Sequence, residues 1–280
     1  MQNLLAHPAF QSAIAPLASS LIVVLMLQRA GRIWHGFAVM AGVFVAIYLT
    51  TGISFQPLTS TSKIILSSLI LPFMAFLLVQ AKCPLVYRAV FLAISMAVAA
   101  IWIAWPVLGR QEGLEVWQTA ARVALFAAAI GGGMRWFSQG DVTRQGGTML
   151  SLGVGVGLTT FIANSALYAQ LAFAVSAAVG GLLIVALVKY ERQLTVLGMR
   201  DLSIFAVAVP LGLIGGAATV YAQLPGVVLI CLALVPVFAA IPVAKQQNLW
   251  IRATLSTILG FIPIVPAIWL VMGMAEPMGY

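Results

Sequence analysis

The chain has 280 residues, of which 62% are apolar and 7% charged, with fourteen Lys or Arg against six Asp or Glu and a formal net charge of +8. A soluble globular domain carries roughly a quarter of its residues as charges and keeps apolar residues near half, so that class is excluded. Dividing the length by the ~20 apolar residues that a membrane-spanning helix needs leaves room for about ten spans and for no sizeable soluble domain.

Taken in chain order, polar or turn-forming interruptions mark apolar segments at about 9–28, 33–54, 64–81, 86–107, 115–137, 147–167, 170–190, 202–222, 225–244 and 250–274. No ten-residue alternating pattern for a barrel is present. Backbone hydrogen-bond demand in lipid then makes helices the default. The expectation is an all-α, polytopic integral membrane protein of about ten transmembrane helices, with residues 1–280 forming a single transmembrane domain. The N-terminus (MQNLLAHPAFQSA) lacks a basic n-region, so the first span is expected to remain in the mature protein.

Lys and Arg are retained on the cytoplasmic side of short loops, which orients the spans. Arg29, Arg32, Lys82, Arg88, Arg135, Arg144, Lys189, Arg192, Arg200, Lys245 and Arg252 fall in one alternate set of loops, and only Lys63, Arg110 and Arg122 in the other. Both termini are therefore expected on the non-cytoplasmic side of a bacterial-type inner membrane. The cytoplasmic face would meet anionic lipid headgroups, and the net charge calls for no nucleic-acid partner. Trp34, Tyr87, Trp136, Tyr190 and Trp250 land at the expected inner ends, and Tyr48, Trp102, Trp105, Trp117, Tyr168, Tyr221 and Trp269 near the outer ones, as interfacial anchors do.

No Asp, Glu, Lys or Arg falls near the middle of any expected span, which removes the buried charge that ion- and proton-coupled carriers use. Arg122 and Arg135 read as snorkelling anchors, and His35 as an interfacial residue. The sixth span, SLGVGVGLTTFIANSALYAQ, is the most polar: Gly153 and Gly157 form a close-packing face, while Thr159, Thr160, Asn164 and Ser165 offer hydrogen bonds in the outer half. Helix-disrupting residues cluster in the last three spans, with Pro210, Gly212, Gly215 and Gly216 in the eighth, Pro236 and Pro242 in the ninth, and Pro263 and Pro266 in the tenth. Prolines free backbone carbonyls, and broken helices build binding sites in transporters. The substrate-path candidates are accordingly Thr159, Thr160, Asn164, Ser165, Pro210, Gly215 and Gly216.

The remaining patterns lack chemistry. Gly131–Gly133 has neither the strand nor the Lys-Ser/Thr of a phosphate loop. Thr59 to Lys63 runs along one short loop, where Thr61 or Ser62 reads as an N-cap rather than a nucleophile. Two cysteines and two histidines make neither a disulfide framework nor a zinc site. No enzyme activity and no cofactor are expected. The sequence supports two functions: a facilitator or flippase-like carrier for a small neutral or amphipathic solute or lipid, and a non-catalytic subunit packed against membrane-protein partners.

Overall fold

The computed structural model describes residues 7–27, 35–52, 58–137, 142–190, 201–243 and 248–274. Within them the chain is all-helical, and ten helical segments follow one another: α1 (Phe10–Leu27, its first turn π-helical), α2 (His35–Thr50), α3 (Ser60–Gln80), α4 (Leu85–Leu108), α5 (Leu114–Phe137), α6 (Val142–Ile162), α7 (Ala166–Tyr190), α8 (Asp201–Tyr221), α9 (Gly226–Ala239) and α10 (Leu249–Met274). Each of the apolar segments read from the sequence overlaps one of these helices. Six of them, α1, α3, α4, α7, α8 and α10, are long and apolar enough to cross a membrane, while α2 and α9 are apolar but shorter. This is the composition of a multi-pass membrane protein.

The helix ends depart from expectation in places that have local causes. Thr59, with extended φ and ψ, is the N-cap of α3 and accepts a hydrogen bond from Ser62 N at 3.2 Å, so the cap is neither Thr61 nor Ser62. That cap starts the helix early and places Lys63 in its first turn instead of in a loop. Likewise α6 stops at Ile162, short of the expected end, because Asn164 adopts φ +59. The Ser165 N–H reaches back to Thr160 O and the Asn164 N–H to Phe161 O, both at 3.0 Å, the double bond of a Schellman C-cap. Asn tolerates the left-handed region better than most side chains. α7 then starts at Ala166.

Successive helices run antiparallel. We call the end of the bundle where odd-numbered helices begin proximal, and the other distal. At the proximal end Gln11 of α1 donates to Leu49 O at the close of α2, and Ser60 of α3 meets Tyr221 of α8. At the distal end Gly36 of α2 packs directly on Leu202 of α8. Among the described residues Lys82, Arg88, Arg135, Arg144, Lys189 and Arg252 lie toward the distal end, and Lys63, Arg110 and Arg122 toward the proximal one. Arg29, Arg32, Arg192, Arg200 and Lys245 lie outside the described residues.

The hub of the bundle is α8. Its apolar window is 89% buried, and it packs against α2, α3, α4, α5, α6 and α7. Pro210 does not interrupt it. Close approach around it depends on small residues, since any side chain would hold the backbones apart. Gly212 of α8 and Gly131 of α5 both take up the end of the Met96 side chain from α4, which is wholly buried.

Candidate functional site

α6 occupies the centre of the second half, and its sequence gives it two small-residue faces. Gly146, Gly153 and Gly157 turn toward α7, where Leu183, Ser176 and Phe173 fill the space a β-carbon would take. Gly147, Ser151 and Gly155, spaced by four, turn toward α10. There a methyl group added at Gly147 would fall 2.8 Å from both Ser256 Cβ and Thr257 N, and Gly260 packs directly on the Ser151 hydroxyl. The expected close-packing pair Gly153 and Gly157 is therefore half of the arrangement. The period-four stripe Gly147, Ser151 and Gly155 was the legible sign of the other half.

The seven substrate-path candidates do not converge on one spot. Thr159 and Thr160 are fully buried, and their hydroxyls donate within α6, to Gly155 O at 2.8 Å and Val156 O at 2.7 Å. Such back-bonding satisfies a hydroxyl where no water is near. Asn164 is exposed and Ser165 half-buried, both beyond the helix end. Pro210 is buried within α8. A β-carbon on Gly215 would meet the Phe126 ring of α5 at 2.5 Å, and one on Gly216 would meet Val123 Cγ1 at 3.2 Å. The glycines of α8 thus seat α5.

Pro236 of α9 and Pro263 of α10 stand at breaks in their helices, whereas Pro242, expected within the ninth span, lies beyond the end of α9, and Pro266 lies inside the second half of α10. α9 divides into Gly226–Ala233 and Val235–Ala239 around Leu234, and α10 into Leu249–Phe261 and Ile264–Met274. Pro236 has no N–H for Leu232 O, and Pro263 none for Leu259 O, which instead accepts from Ile262 N at 3.2 Å in a tighter turn. At 1.5 Å of rise per residue, the α9 break lies about 12 Å from its proximal start and the α10 break about 16 Å from its proximal end. The two breaks are therefore nearly level. Gly155 of α6 stands beside both, since its β-carbon would fall 2.8 Å from Ile264 Cδ1 and 3.1 Å from Leu232 Cδ2.

A second polar cluster lies at the proximal end, on residues the sequence reading placed in a loop or used only as anchors. Lys63 is 8% exposed. Its Nζ donates to Trp102 O at 2.9 Å and sits 5.1 Å from the centre of the Trp102 ring. The carbonyl is available because Pro106, four residues later in α4, has no N–H to give it. Beside it Ser60 Oγ donates to the Tyr221 hydroxyl at 2.6 Å, which donates to Ile103 O at 2.8 Å. The sign in the sequence was Pro106 itself, one turn after Trp102. Among the described residues no three His, Cys, Asp or Glu side chains gather as a metal site would need.

Surface grooves lie among the described residues. One of about 550 Å³ runs between α5 and α9, with Arg122 at its head. Another, about 410 Å³, lies between α7 and α10 over Leu150 of α6 and includes Gly180, Trp250 and Thr254. The chain matches no family model and no curated protein.

Proposed function

We propose that the chain crosses a bacterial inner membrane ten times, with both termini on the non-cytoplasmic side, and works as a facilitator or flippase-like carrier for a small neutral or amphipathic solute or lipid. The observation that carries this reading is the pair of level breaks in α9 and α10 beside Gly155. Each break removes one backbone donor from the regular ladder and divides its helix into halves that can tilt separately. The small-residue seam between α6 and α10 keeps the side chains at that crossing short, and the backbones of the two helices close together. Grooves open to the surface beside α9 and α10 suit an amphipathic passenger.

The test is reconstitution into vesicles carrying a fluorescent phospholipid whose outer-leaflet copies are quenched by an impermeant reductant. The protein should speed loss of the inner-leaflet signal over protein-free vesicles, and Pro236→Ala with Pro263→Ala, which restores both backbone donors, should slow it. Absence of any acceleration, together with co-purification of a stoichiometric protein partner in mild detergent, would favour the subunit reading instead.

Orientation has its own test. Cys83 lies between α3 and α4 at the distal end, half-buried. A membrane-impermeant maleimide should label it only after the membrane is opened, and labelling in intact cells would reverse the assignment.

A further inference from the structure

We propose that the groove between α5 and α9 is a binding site for one anionic phospholipid, its phosphate held by Arg122 and an acyl chain laid along the groove. The site does not depend on the carrier reading. Arg122 is exposed and makes no ion pair or hydrogen bond among the described residues. Glu115, two turns earlier on the same helix, does not reach it. An exposed guanidinium that no carboxylate engages can take a phosphate oxygen pair in the bidentate geometry arginine favours.

The rest of the groove has the opposite character. Below Arg122 it is lined by Leu125, Phe126 and Ala129 of α5 and by Val227, Ile230 and Ala233 of α9, all apolar. Leu125 is 70% exposed and Ile230 62% exposed, so this wall faces outward along the helices. At its head Gly226 keeps the entrance open: a β-carbon there would fall 3.4 Å from Arg122 Cδ. From Gly226 to Ala233 the helix rises about 10 Å, enough for the upper part of an acyl chain before the break in α9. One charged end and one apolar run, joined at the level where α9 begins, are complementary to a lipid that is anionic at its head. A free anion would leave the run empty, and a neutral lipid would leave the cation unmet.

The experiment uses the full chain in mild detergent, stripped of lipid and mixed with phosphatidylglycerol or with phosphatidylcholine of the same chains, and reads bound lipid by native mass spectrometry. The expected result is one phosphatidylglycerol per chain, retained in preference to phosphatidylcholine. Arg122→Gln should lower that preference about tenfold, as the loss of one charge-assisted contact implies, while Arg122→Lys should keep most of it. Ala129→Trp, which fills the groove and leaves the cation, should release both lipids. If that variant fails to fold, Ile230→Trp fills the same space from the facing helix. Equal retention of the two lipids, full retention in Arg122→Gln, retention in the groove-filled variant, or displacement by millimolar inorganic phosphate would each overturn the proposal.

Discussion

Replacing Gly181 with alanine should lower the melting temperature of the detergent-solubilised protein, whereas the same change one residue earlier, Gly180→Ala, should leave it unchanged or raise it. Both glycines lie in the interior of α7, so alanine improves helix propensity at each by up to about 1 kcal/mol. What differs is the neighbour. A β-carbon on Gly181 would fall 2.7 Å from Leu17 O and 3.1 Å from Leu21 N, which are backbone atoms of α1 and cannot rotate away. On Gly180 its nearest contact would be Leu17 Cδ1 at 4.0 Å. The crossing at Gly181 is also pinned by Ser20 Oγ, which donates to Ala178 O at 2.7 Å, and by Gly42 of α2, whose β-carbon would fall 2.7 Å from Pro16 O. Forcing a methyl group between α1 and α7 should therefore cost about 1–3 kcal/mol, the usual cost of overpacking. Thermal melts of the two variants side by side decide the matter; equal melting temperatures would mean that the two helices are not in backbone contact at Gly181.

The second large effect is expected at Lys63. Lys63→Met keeps the aliphatic stem and removes the ammonium, leaving Trp102 O with neither Lys63 nor a backbone donor, since Pro106 supplies none. An acceptor stranded in this way costs about 1–3 kcal/mol. The mechanism makes a sharper claim than the single variant does. Pro106→Ala returns an N–H to Trp102 O, so Lys63→Met should cost much less in the Pro106→Ala background than in the original chain. The difference, measured as a double-mutant cycle on unfolding, is the energy with which the lysine serves the proline's missing bond. Additive effects would mean that Lys63 and Pro106 act independently.

These two sites show what a linear pattern can and cannot carry. The order of the helices was legible because each one needs a run of about twenty apolar residues, and the punctuation between runs is written in Arg, Lys, Pro and Gly. The helix breaks at Pro236 and Pro263 were legible for a similar reason, as a missing N–H is a property of the residue itself. Pro210 carries the same deficit, yet α8 continues through it, packed against neighbours from α2 through α7. Glycine is more ambiguous still. Gly215 read as a helix-disrupting residue and a solute-path candidate; that the Phe126 ring of α5 lies against it is a tertiary contact that no local pattern records. Asn164 read as an amide within a span, whereas its backbone turns left-handed and ends α6 before the amide is reached. Lys63 read as a loop residue because the deficit it fills lies thirty-nine positions away, at Trp102.

The burial of α8 bears on how the molecule comes into being. Among the described helices it follows α2 through α7 in the chain, yet it fits inside a surround drawn from those same helices, every one of which is made before it. Those earlier helices cannot close on one another without shutting out their own centre. Until Asp201–Tyr221 is made, Gly36, Met96, Phe126 and Ile130 lack the α8 neighbours they pack against in the finished fold. A chain cut short after α7 would be left with an unfilled slot, and its first seven helices should be cleared by membrane proteases faster than the complete protein.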